Sequence, residues 1–171
     1  KYSLILDQCL RSENIKFSTD PSKPIHDSEV IIIAVGTPSD ENGDVDLSQI
    51  KSAVSQIKSS FNPYTVVVMK STVPLDAFEL MRHELSEDFQ EGNDFDIVSN
   101  PEFLREGKAV FDFFNPDRIV VGTNSEKAFQ IIKDMYIKLI DRNKGLGGVI
   151  EQNKIVPVLK TSLASAQMIK Y

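Results

Sequence analysis

The sequence predicts an α/β fold, a parallel sheet with helices packed on both faces. Three observations lead there. Short β-branched apolar runs alternate with longer segments of helical period, the runs are apolar on successive residues, and no repeat or low-complexity segment breaks the alternation. Runs of that kind suit strands covered on both faces. Strands joined through amphipathic helices form right-handed crossovers, which makes their sheet parallel.

The expected strands are Val30–Val35 (VIIIAV), Thr65–Lys70 (TVVVMK), Phe95–Asn100 (FDIVSN) and Arg118–Gly122 (RIVVG). Between the first two, Ile50, Val54 and Ile57 recur at three- and four-residue steps, and Asp46 with Gln49 resembles a capping box. After Pro74 the helical period returns in Phe78, Met81 and Leu85, and after Glu126 in Ala128, Ile132, Met135 and Leu139. Asp141–Gly148 (DRNKGLGG) is polar and glycine-bearing, which predicts a mobile loop. Lys154–Leu159 (KIVPVL) is strand-like, but Pro157 has no N–H to donate and pushes it to a sheet edge. Thr161 or Ser162 then caps a helix through Ala166, Met168 and Lys170. Residues 1–160 are thus expected to form one α/β domain and 161–171 the opening of a further helix.

Composition narrows the function classes. With 41% hydrophobic and 26% charged residues, the chain is built like an ordinary globular domain. A net charge of -6 argues against broad nucleic-acid binding, which needs a basic surface. A small anionic ligand remains compatible, because helix N-termini and a few placed cations hold phosphate whatever the global charge. One cysteine, Cys9, allows neither an internal disulfide nor a cysteine-based zinc site, which suits a reducing, cytoplasmic setting. Set among Leu4, Ile5 and Leu10, it reads as a small buried hydrophobe. His26 and His83 read as surface residues, no spacing suggests a metal, and no apolar run is long enough to cross a bilayer. The chain opens on Lys1 and stops within a helical pattern, so it reads as a fragment.

In a parallel α/β sheet, ligands gather beyond the carboxyl ends of the strands. The unusual residues stand there. The first strand runs into Gly36, Thr37, Pro38 and Ser39, where glycine admits close backbone approach and the hydroxyls can hydrogen-bond a ligand. The second ends in Lys70, Ser71, Thr72, Val73 and Pro74, which puts free N–H groups and two hydroxyls at a helix start. The third ends in Asn100-Pro101-Glu102-Phe103-Leu104-Arg105-Glu106-Gly107. A helical turn there would set Glu102 and Glu106 on one face. The plainer reading is a surface turn closed by a Glu102–Arg105 pair.

AVGTPS, KSTVP, NPEFLREG with PDRIVVG after it, and SAQMIKY together resemble, in order and spacing, the UDP-glucose/GDP-mannose dehydrogenase family. The resemblance covers nearly the whole chain. It implies a partial Rossmann-like NAD-binding domain lacking the first βαβ unit and its glycine-rich turn, followed by the start of a long connecting helix through which relatives dimerise. It also implies a two-step oxidation of a sugar C6 alcohol to a carboxylate, through an aldehyde and a cysteine thioester, with NAD as hydride acceptor. The thiolate of the family lies beyond this chain, and Cys9 cannot replace it. By the resemblance, Val35, Gly36, Thr37, Pro38 and Ser39 line the cofactor; Ser71, Thr72 and Val73 contact it near the reacting end; and Glu106 lies near the nicotinamide. Thr72 helps to place a catalytic water, Glu102 is the general acid/base, and Lys170 stabilises charge on the substrate oxygen. Phe103, Leu104 and Arg105, with Glu102, Glu106 and Lys170, form part of the sugar-nucleotide pocket. Gln167 stands where the family often has Glu. UDP-glucose is favoured over GDP-mannose, and N-acetylated sugars are disfavoured because those relatives usually carry Arg at the position of Glu102. A non-catalytic nucleotide-binding or assembly module is the competing class. The segment alone is expected to be inactive.

Overall fold

In the computed structural model, which describes residues 2–12, 14–62, 64–143 and 155–170, each apolar run forms a strand. These are β1 (Val30–Ile33), β2 (Thr65–Met69), β3 (Phe95–Ser99) and β4 (Ile119–Gly122), joined by a fifth, β5 (Val158–Thr161). Two helices without a sequence forecast, α1 (Tyr2–Arg11) and α2 (Ser22–His26), precede the sheet. Then α3 (Ser48–Ser59), α4 (Asp76–Ser86), α5 (Ala109–Phe114) and α6 (Glu126–Asn143) fall between successive strands, and α7 (Leu163–Lys170) follows β5. The strands pair in chain order.

The apolar periods explain the layering. Every residue of β2 and β3 is buried. On one face, Val67 and Met69 of β2 pack with Ile50, Val54 and Ile57 of α3 and with Phe78, Met81 and Leu85 of α4. On the other, Val66 and Val68 meet Ala128, Phe129 and Ile132 of α6. Each large side chain so buried contributes about 1.5–3 kcal/mol. The outer strands are less covered. Ile32 of β1 is 46% exposed, and β5 lies on the opposite edge, beginning directly after Pro157, whose carbonyl accepts the Ile119 N–H at 2.9 Å.

The sheet is mixed, where an all-parallel one was expected. β1, β2 and β3 run parallel in register, but Ser99 faces Gly122 in an antiparallel pairing of β3 with β4, and β5 runs parallel to β4. The reason lies in the connection. A parallel return needs a segment that traverses the sheet face, usually a helix. α5 has six residues and stays at the strand tips, so the chain re-enters the sheet from that end. The helix after β5 therefore climbs back towards the tips of β1–β3.

Smaller corrections follow local hydrogen bonding. Asp46 accepts the Ser48 N–H at 2.8 Å, but Gln49 does not complete a capping box, since its amide lies beside Gly36. Of the two candidate caps for the last helix, Ser162 takes the role: its Oγ accepts the Ser165 N–H at 3.1 Å. Cys9 is half-buried, not buried, because α1 leaves Leu6 and Leu10 46% and 39% exposed. His26 and His83 are exposed. Residues 141–143 continue α6; the rest of the expected Asp141–Gly148 loop and Lys154 lie outside the described residues.

Gly122 shows how closely α7 sits on the sheet. A Cβ there would fall 2.5 Å from Ala166 Cβ and 2.6 Å from the Ser162 carbonyl oxygen. Only glycine fits. Gly122→Ala is expected to lose about 1–3 kcal/mol through overpacking, read as a lower midpoint in urea denaturation; an unchanged midpoint would show that α7 shifts freely.

Candidate active site

Because β1, β2 and β3 are parallel, their carboxyl ends share one edge, and the segments after them form adjoining loops. Ser71 Oγ donates to the Val35 carbonyl at 2.7 Å, and Thr37 Oγ1 donates to the Thr72 carbonyl at 3.1 Å. Val35–Ser39 and Ser71–Val73 are thereby laced together. Gly36, Pro38 and Ser39 are exposed along this seam, while Val73 is buried beneath it. A Cβ on Gly36 would meet only the tip of Gln49, at 3.5 Å. Small and hydroxylated side chains at two adjacent strand ends, with an exposed glycine among them, fit one wall of a dinucleotide site.

The third loop carries the charge. Lys170, at the last turn of α7, donates to Glu102 Oε1 at 2.9 Å and to the Glu102 carbonyl at 2.6 Å. The other carboxylate oxygen, Oε2, accepts the Leu104 N–H at 2.6 Å. Burial acts to raise the Glu102 pKa, but the Leu104 N–H, the Lys170 ammonium and the nearby Lys70 outweigh it and hold the carboxyl below its usual range. Glu102 is therefore ionised at neutral pH.

Beside this pair opens a cavity of about 500 Å³, lined among others by Lys70, Asn100, Glu102, Phe103, Arg118 and Tyr136. Arg118 stacks its guanidinium 4.8 Å from the Phe103 ring centre. Leu104 and Arg105 also line it. Arg105 pairs with Asp112 and not with Glu102: Nε, Nη2 and the backbone N–H donate to the Asp112 carboxylate at 3.0, 2.6 and 2.9 Å. This fork clamps the loop onto α5.

Residues 101–105 are irregular and not helical, so Glu102 and Glu106 do not share a face. Glu106 is exposed and outside the cavity lining, in a turn that Gly107 closes with φ of 75°. The structure thus gathers Glu102, Phe103, Leu104 and Arg105 around one cavity, holds Lys170 against Glu102, sets Thr72 and the two laced loops on the same edge of the sheet, and leaves Glu106 apart. Lys70 and Asn100 were expected at the strand ends without a role, and Tyr136 and Asp112 were not forecast. For Lys70 a signal existed, a lone charge at the end of a buried strand. Tyr136 lies in the segment whose helical period is carried by Ile132, Met135 and Leu139, and nothing in that pattern singled it out.

A parallel α/β core with its polar residues at the strand tips is the architecture of a dinucleotide-binding domain. The sequence profile described as "UDP-glucose/GDP-mannose dehydrogenase family, NAD binding domain" matches residues 2–140, and the chain belongs to this family. It is 37% identical over 167 residues to the UDP-glucose 6-dehydrogenase TuaD of Bacillus subtilis, covering 98% of this chain and 33% of that protein. To the UDP-glucose 6-dehydrogenase of Rickettsia bellii it is also 37% identical, over 96% of this chain and 34% of the relative. Among solved structures, a UDP-glucose dehydrogenase from Pyrobaculum islandicum superposes with a TM-score of 0.79 at 32% identity, over 97% of this chain and 36% of the other. A GDP-mannose dehydrogenase from Pseudomonas aeruginosa superposes equally well, TM-score 0.79 at 28% identity, over 98% and 36%. The chain spans about a third of the length of the curated relatives it matches. Among the described residues, no cluster of His, Cys, Asp or Glu is arranged to hold a metal, and no helix is long and apolar enough to cross a membrane.

The Arg105 fork holds the Asp112 carboxyl at about 2. Because this value is depressed, the pair's contribution to stability is complete above the ordinary carboxylate range and is lost as pH falls towards 2. Carbon-13 NMR titration of Asp112 should place its midpoint well below the ~3.9 of a free aspartate, and Arg105→Ala should raise it, the backbone N–H of residue 105 still holding it below that value.

Proposed function

We propose that the intact protein is an NAD-dependent UDP-glucose 6-dehydrogenase, oxidising the sugar C6 alcohol in two steps to the carboxylate of UDP-glucuronate. The observation that carries this reading is the Glu102–Lys170 pair at the edge of the cavity, where the strand tips meet. Bound NAD is the hydride acceptor in each oxidation. Glu102, kept ionised by its donors, is the group that takes up and returns a proton. Lys170 has three N–H donors, two of them on Glu102; the third serves the substrate oxygen as negative charge develops on it. Thr72 orients the attacking water from the second strand tip. Phe103, Leu104 and Arg105 bound the sugar-nucleotide pocket, Val35–Ser39 and Ser71–Val73 face the cofactor, and Glu106 reaches the nicotinamide side only if its turn moves on binding.

The names of the relatives support UDP-glucose over GDP-mannose, although the GDP-mannose enzyme superposes as well as the UDP-glucose one. A binding-only module has no use for a cation drawn onto a half-buried carboxylate, and this disfavours the non-catalytic class. We assign residues 1–160 to the NAD-binding domain and 161–171 to the start of a connecting helix. Its exposed Met168 and Ile169, 64% and 45% accessible, are suited to a homodimer contact. A cytoplasmic setting accords with the free Cys9.

The intact protein should reduce NAD in the presence of UDP-glucose and not of GDP-mannose, followed by absorbance. Glu102→Ala or Lys170→Ala should lower turnover by roughly 10²-fold or more. Wild-type turnover in either variant would remove these roles. The segment by itself should show no turnover and, by calorimetry, weak NAD binding.

A further inference from the structure

Lys70 is the second cation of the site and has no part in the roles assigned so far. It is the first residue after β2, a half-buried ammonium that follows five buried residues. Its Nζ donates to two oxygens of one residue, the Asn100 carbonyl at 3.2 Å and the Asn100 side-chain oxygen at 3.3 Å. Asn100 is itself held rigidly. Its Nδ2 donates to the Val120 carbonyl at 2.8 Å, and its Oδ1 accepts the buried Tyr136 hydroxyl at 2.6 Å. The amide cannot flip without losing all three partners. A Tyr136–Asn100–Lys70 chain therefore links α6, the tip of β3 and the tip of β2.

Asn100 stands two residues before Glu102, so this chain anchors the turn that carries the carboxylate. The electrostatics point the same way. The charged groups facing Glu102 are Lys170 from α7 and Lys70 from β2, while Arg105 and Asp112 across the cavity neutralise each other. Burial and the charge of Lys170 lower the Lys70 pKa, against the pull of Glu102. Lys170 thus touches the carboxylate directly, while Lys70, lining the same cavity as Glu102, adds a weaker attraction that favours its ionised form.

We propose that Lys70 is a positioning residue for the oxidation, which anchors the Asn100–Glu102 turn by hydrogen bonds and brings a positive charge to the cavity that Glu102 lines. The proposal rests on the role given to Glu102 above. In the intact protein, Lys70→Gln keeps hydrogen-bonding capacity and removes the charge, Lys70→Met removes both, and Lys70→Arg keeps the charge. With UDP-glucose and NAD, the acidic limb of kcat/KM should move to higher pH in the Gln and Met variants, because losing a cation raises the pKa of Glu102. It should stay in place in the Arg variant. The Met variant should also lose roughly tenfold in kcat. Carbon-13 titration of the Glu102 carboxyl in the unliganded protein reads the same shift without turnover. A Glu102 midpoint in Lys70→Gln equal to that of the parent overturns the inference, even if Lys70→Met does not fold. A parent protein that reduces no NAD with any sugar nucleotide instead defeats the dehydrogenase reading. In that case the Glu102 titration still decides whether Lys70 sets the charge state of the carboxylate.

Discussion

The contact between Lys170 and Glu102 joins residues 68 positions apart, and the geometry of the site depends on it. It exists because the sheet reverses between β3 and β4. In an all-parallel sheet, the helix after the last strand would run away from the ligand edge and carry Lys170 to the opposite end. Here β4 and β5 run against β1–β3, so α7 rises towards the tips. Gly122 permits that helix to lie against β4 at backbone distance. Eight residues at 1.5 Å each then suffice to bring the ammonium onto the carboxylate.

Around this contact the chain concentrates charge that its composition conceals. The protein is acidic, with net charge -6, yet Lys170 pairs with Glu102 at the strand tips and Lys70 lines the same cavity. Across the cavity Arg105 is matched by Asp112 in a two-pronged fork. A half-buried site with one cation in excess suits an anionic ligand or a developing oxyanion, since fixed charges act more strongly where water is sparse. Gln167 fits the same pattern. It is buried, donates to Ser99 Oγ at 3.2 Å and leaves Oε1 without a partner among the described residues. A carboxylate in its place would bring a second negative charge under the helix that carries Lys170.

Much of the fold was legible because burial leaves a periodic trace. Val66 to Met69 alternate between the two cores, and Ile50, Val54 and Ile57 mark one face of α3. Ser162 announced the last helix because a hydroxyl before an apolar period caps it. The direction of β4 left no such trace: a strand reads the same whichever way its neighbours run. The short α2 carries too few buried residues to show a period, Ile25 being its only buried side chain.

The sequence alone marked the candidate residues: Glu102, Thr72 and the hydroxylated strand ends stand out at the ends of apolar runs, while Lys170 was singled out only by the family resemblance. The tertiary structure alone decided which of them meet. It turned Arg105 to Asp112, left Glu106 in solvent and joined Lys70 to Asn100 and Tyr136. The physical reason is that local pattern records burial, a property of each residue. Partnership between charges depends on strand direction and loop path, which appear only when distant segments pack.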